Sequence, residues 1–143
     1  SRPESLAKMM AAVHKRYTVM INIRNNWKGT LWQGRYLSYP MDEIYLYTCV
    51  RYIERNPVRA KIVKRPEDYP WSSARAHIFK INDQVLSSFF MLDQIKDWRA
   101  YLQQAENEED LEKIRKNQSS GRPLGSKQFY KQIEMLTGRK LKK

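Results

Sequence analysis

Tyr45, Cys49, Tyr52 and Asn56 fall at i, i+4, i+7 and i+11, along one face of a helix. Tyr52 and Asn56 are one turn apart, so their side chains can converge on one point. A phenol, with its pKa near ~10, attacks a phosphate when a base or a metal helps remove its proton. An amide oxygen is a hard ligand suited to Mg²⁺ or Mn²⁺. Arg51, Arg55, Arg59 and Lys61 stand close in sequence and can clamp phosphates. The ordinary reading stands beside this one: a helical tyrosine packs, and an Asn before Pro57 stops a helix.

Other chemistries find little support. His14 and His77 are the two histidines, far apart and without a matching Cys or carboxylate pattern, and metal ligation needs three or four convergent ligands. Cys49 is the single cysteine, which excludes an intrachain disulfide and reads as a small buried hydrophobe. The five glycines show no phosphate-loop spacing, and no serine nucleophile elbow is present.

The 143 residues amount to one domain's length and carry 27 Lys and Arg against 15 Asp and Glu, a net charge of +12. That balance points first to nucleic acid and second to an anionic membrane surface. Residues 1–40 carry net +6, residues 41–80 net +3, residues 81–110 net −5 and residues 111–143 net +8. This reads as a basic body, an acidic spacer and a basic appendage. Aromatic residues at 12% are too many for a disordered basic tail. No apolar run is long enough to span a membrane and no signal segment opens the chain, so a cytoplasmic setting is expected.

The elements that would position these residues follow from local signals. Ser1 and Glu4 form a capping box with Pro3 in the first turn, and Leu6, Met10, Val13, Tyr17 and Met20 mark one face of a helix over residues 2–22. Asn25, Asn26 and Gly29 read as a turn. Aromatic-rich residues 30–38 read as a strand with Gly34 a bulge. Asp42 caps a second helix with Leu46, Val50 and Ile53 as its buried stripe, ending near Arg55 or Asn56. Residues 64–71 read as an ordered loop, with Ser72 or Ser73 capping a short turn through Ala76. Asp93 and Asp110 are expected caps of two further helices. Ser126 caps a last helix bearing Phe129, Ile133 and Leu136, closed by Gly138. One strand cannot satisfy its own backbone, so either further strands lie within this chain or the remainder of a sheet lies outside it, and the start at Ser1 favours the second.

Four strings, in order, carry a resemblance. Trp-Gln-Gly-Arg-Tyr (32–36), Arg-Tyr-Ile-Glu-Arg-Asn-Pro-Val-Arg-Ala (51–60), Asp-Tyr-Pro-Trp-Ser-Ser (68–73) and Gly-Arg-Pro-Leu-Gly (121–125) together resemble the REP-associated tyrosine transposases, of the single-tyrosine HUH branch. The resemblance implies an α/β, ferredoxin-like fold with an antiparallel sheet, of which this mostly helical chain would be the C-terminal portion without the N-terminal strands. It implies Tyr52 as the nucleophile and Asn56 as a ligand of a divalent Mg²⁺ or Mn²⁺, completed by a His-hydrophobe-His pair that this sequence does not contain. It implies cleavage and rejoining of single-stranded hairpin DNA through a 5′-phosphotyrosine link, with this chain inactive alone. The organisation expected is residues 1–80 as part of the catalytic domain, 81–120 as an acidic helical spacer, and 121–143 as a basic helix and tail. Expected DNA contacts are Trp32, Gln33, Arg35, Arg51, Arg55, Arg59, Lys61, Arg122, Arg139 and Lys140, with Lys142 and Lys143 in the tail; core packing is the other reading of Trp32. The alternative function is a non-catalytic DNA-binding fragment or nucleic-acid-binding module.

Overall fold

A computed structural model describes residues 5–34 and 36–141, apart from the side chain of Ser119. The expected capping box of Ser1 and Glu4 with Pro3, the contact expected of Arg35, and the tail residues Lys142 and Lys143 lie outside the described residues. The described chain forms two compact units, Ser1–Ser38 and Tyr39–Lys143.

The first unit holds helix α1, Ser5–Asn25. It ends three residues later than periodicity predicts, because its last turn is closed by side chains. Asn25 Nδ2 donates to the Ile21 carbonyl (3.0 Å), and Asn22 Nδ2 donates to that of Gly29 (2.9 Å). Asn26, at φ +53°, turns the chain in the left-handed region that Asn tolerates better than most residues. No residue of α1 is buried, and its apolar stripe of Leu6, Val13, Tyr17 and Met20 is exposed.

The expected strand over residues 30–38 is not formed, and the expected α/β ferredoxin-like sheet is absent: the described residues form helices joined by irregular segments. The one β-type pairing among them is an isolated parallel bridge between Met41 and Leu124. β-propensity measures fit to a neighbouring strand rather than a backbone preference. Without such a neighbour, Trp32 turns to its own unit and donates from its indole to the His14 carbonyl of α1 (3.3 Å).

In the second unit, helix α2 spans Glu43–Glu54, and Asp42 caps it as expected, Oδ1 accepting from the Tyr45 N–H at 3.2 Å. Helix α2 stops at its C-cap Arg55, as expected, and Pro57 sits at the beginning of the short helix α3, Asn56–Arg59. A 3₁₀ turn, Pro66–Asp68, leads to α4, Ala74–Phe79, three residues longer than the expected turn. Asp93 caps nothing: it lies inside the single turn α5, Met91–Gln94, and Asp97 caps α6, Trp98–Gln103. Helix α7, Glu108–Ser120, is capped by Asn107, with Asp110 in its first turn beside the positive end of the helix dipole. The last helix, α8, Lys127–Thr137, begins at Ser126 and closes at Gly138 (φ +66°), both as expected.

Helix α2 separates two apolar clusters. On one side Cys49 and Tyr52 pack with Leu111 and Ile114 of α7 and with Leu124. On the other, Leu46, Tyr47 and Val50 pack on Ala74, Met91, Trp98, Tyr101 and Leu102. The predicted stripe is therefore right at Leu46 and Val50 and wrong at Ile53, which is 55% exposed. None of the described helices is long and apolar enough to cross a membrane.

Candidate nucleic-acid interface

The start of α2 is anchored twice by one side chain. Besides capping its own helix, Asp42 accepts the Ser126 N–H on Oδ2 at 2.7 Å, and its own N–H donates to the Leu124 carbonyl at 3.0 Å. The Gly-Arg-Pro-Leu-Gly turn is thereby docked on the helix that carries Tyr52. Glycine leaves room there: a Cβ on Gly125 would lie 2.9 Å from Asp42 Oδ2 and closer still to the Phe129 ring, so one of these side chains would have to shift.

At the other end of α2, three expected site residues meet. Tyr52 is buried, with the Arg59 guanidinium 4.3 Å above its ring centroid. Arg59 Nη1 also donates to Asn56 Oδ1 (2.9 Å) and, weakly, to the Tyr52 carbonyl (3.4 Å). Tyr52, Asn56 and the arginine that would clamp a phosphate thus form one cluster. Arg115 of α7 joins it. Its guanidinium pairs with Glu108 at 2.7 Å and interacts with the Tyr52 side chain, both of which hold it above the ordinary arginine value. Tyr39 stands on the same side, its phenol pushed up by burial first, then by the nearby Cys49 and Tyr52. Burial pushes the Cys49 thiol up as well, which keeps it a neutral packing group.

The arginines beside Tyr52 are engaged by the acidic stretch. Arg51 Nη1 donates to Gln104 Oε1 at 2.5 Å, and Arg55 Nη1 to the Gln104 carbonyl at 3.1 Å. Glu106 pairs with Arg59 at 2.8 Å and with Arg55 at 3.8 Å. Lys61, at φ +58°, is exposed and its side chain has no partner among the described residues.

The other expected contacts are placed elsewhere. Trp32 and Gln33 belong to the first unit. There the Trp32 ring stacks on His14 (centroids 4.1 Å apart) and is 42% exposed, so it is not a core residue, while Gln33 is exposed. Arg122 is exposed in the α7–α8 turn, and Arg139 and Lys140 are exposed beyond α8.

One residue that sequence reasoning missed organises the second cluster. Glu54, 1% exposed, accepts from Ser73 Oγ (2.5 Å) and Trp98 Nε1 (2.7 Å) and pairs with His77 Nδ1 (2.6 Å). His77, expected as an ordinary polar or helix-surface residue, is instead nearly buried in this network. The available signal was a charged residue standing at i+4 from Val50, on the apolar face.

A divalent ion needs several hard ligands around one point. Asn56 Oδ1 faces a guanidinium, and no group of three His, Cys, Asp or Glu among the described residues converges on a centre. The described residues therefore do not fit the expected Mg²⁺ or Mn²⁺ site by themselves. Comparison with protein-family models, with curated proteins and with solved structures finds no match to this chain.

Proposed function

We propose that this chain is a DNA-engaging part of a tyrosine transposase of the REP-associated type, and that it binds hairpin and single-stranded DNA. The observation that carries the reading is the convergence of Tyr52, Asn56 and Arg59 at one end of α2, with Arg51, Arg55 and Lys61 beside them. The four motif strings and the net charge of +12 support it. Guanidinium groups fit phosphate oxygens with paired N–H donors, so this ridge supplies affinity without reading sequence. Trp32, exposed and stacked on His14, offers a ring face to an unpaired base. Its setting is then wherever bacterial DNA lies, at the nucleoid in the cytoplasm.

The chemistry that the tyrosine would supply is phosphodiester exchange. The Tyr52 oxygen bonds to phosphorus, the bond from phosphorus to the 3′ oxygen breaks, and the phenol proton ends on the released 3′-hydroxyl. One phosphodiester replaces another, so the step is reversible without an external energy source. Tyr52 is 8% exposed here, and the histidine pair of the family is not in this sequence, which favours DNA binding without cleavage by this chain alone. The test is fluorescence anisotropy of a labelled DNA hairpin with single-stranded flanks, run with a denaturing gel for covalent adducts. Salt-sensitive binding without an adduct is expected. Equal affinity for a structured RNA of the same length would favour a general nucleic-acid module, and no binding at low salt, either by the wild type or with the acidic contacts to the arginines removed, would end the proposal.

A further inference from the structure

We propose that the segment from Gln104 to Glu108 is an internal phosphate mimic that competes with DNA for the arginines beside Tyr52. This rests on the DNA-binding reading above. The segment reaches four guanidinium groups. Gln104 takes Arg51 through its side-chain oxygen and Arg55 through its carbonyl. Glu106 takes Arg59 and Arg55, and Glu108 takes Arg115, which also interacts with the Tyr52 side chain. A carboxylate and a phosphate present the same kind of oxygen pair to a guanidinium fork, so one set of arginines serves either.

Three properties suit the segment to be displaced. Gln104 to Glu106 is irregular, between the end of α6 and the Asn107 cap of α7, so lifting it leaves the cap and the helical hydrogen bonds of α7 in place, and Glu108, in the first turn of α7, has only to swing its side chain off Arg115. Its Glu106 anchors are ionic and partly exposed, the Arg55 and Arg59 side chains at 28% and Glu106 at 15%, so incoming phosphates can reach them. Residues 81–110 concentrate the negative charge, net −5, in a chain that is otherwise basic. Displacement frees the arginines, among them Arg59, which lies over the Tyr52 ring.

The experiment compares four proteins on the same labelled DNA hairpin at low salt: wild type, Glu106→Gln, Glu108→Gln and Glu112→Gln. Glu112 is exposed on α7 and its side chain has no partner among the described residues, so its change removes the same unit of charge without touching an arginine. Glutamine keeps the size and one acceptor oxygen, and circular dichroism at 222 nm checks that helicity is retained. The expected result is binding about tenfold tighter for Glu106→Gln, in the usual range for coupled sites, with a smaller gain for Glu108→Gln and the least for Glu112→Gln. Equal gains for Glu106→Gln and Glu112→Gln would show plain charge repulsion and overturn the mimic while leaving the DNA-binding reading intact. Failure of all four proteins to bind would overturn both. A wild type that fails while Glu106→Gln binds would support both.

Discussion

At the residue scale the decisive group is a carboxylate. Glu54 draws Ser73 and His77 of α4 and its cap, and Trp98 of α6, onto α2. Removing one partner of a buried charged network costs about 3–5 kcal/mol, because the groups left behind lose their acceptor. Glu54→Ala should therefore lower unfolding stability by about that amount, read from urea denaturation, with Glu54→Gln intermediate. A loss under about 1 kcal/mol would show that the network is incidental. Sequence periodicity found this face of α2 but filled it with Ile53, because partners 19, 23 and 44 residues away are invisible to a local window. Tyr52 and Asn56, one turn apart, needed no such reach, and their common neighbour Arg59 is three residues from Asn56. A second residue bears on pH. Burial pushes the Tyr101 phenol from its ordinary value near 10 up to about 12, and its hydroxyl donates to the Tyr47 carbonyl. The folded state holds the neutral form, so this contribution is present below pH 10 and is lost as pH rises toward 12. Thermal melts from pH 9 to 12 should decline less steeply for Tyr101→Phe than for wild type; parallel declines would uncouple this phenol from folding.

At the element scale, the ends of the helices decide what the helices can hold. Asp42 serves α2 and the entrance to α8 with its two oxygens, and Gly125 leaves room for that double contact. In Gly125→Ala the new methyl meets Asp42 and the Phe129 ring, and overpacking of this kind costs about 1–3 kcal/mol. The expected sign is a lower melting temperature, with the Asp42–Ser126 hydrogen bond weakened in amide-exchange measurements. An unchanged melting temperature would mean that the turn moves away freely. Caps such as Asp42, Ser126 and Gly138 were legible because each acts on a backbone group within a few residues of itself. Asp93 and Asp110 misled for a related reason. In the stretch from 93 to 110 several Asp and Asn residues are equally good caps, and packing of Trp98 and Leu111 selects Asp97 and Asn107 instead. The strand failed differently. Residues 30–38 have strand composition, but a strand exists by pairing, and the described chain offers no partner.

At the scale of the whole molecule, charge sets what the chain can do before any single contact. The net +12 is the residue of a basic body, a basic end and an acidic stretch, and the acidic stretch folds onto the arginines next to Tyr52. The cations left free are then the ones that first meet a polyanion. Lys61 and Lys140 are both exposed, and neither side chain has a partner among the described residues, so neutralising them leaves the internal contacts untouched. Each Lys or Arg that neutralises a phosphate releases a condensed counterion and adds about 0.7–0.9 to the slope of log K against log salt. Lys61→Gln and Lys140→Gln should each lower the slope for hairpin DNA by about that much, and the double variant by about twice as much, if the α2 ridge and the basic end grip the same DNA. The double variant separates this from nonspecific attraction: loss of affinity at every salt concentration with an unchanged slope would mean that neither lysine lies at a phosphate. A slope lowered by Lys61→Gln alone would confine the interface to the Tyr52 end of α2 and leave the residues beyond α8 as a solvated basic end.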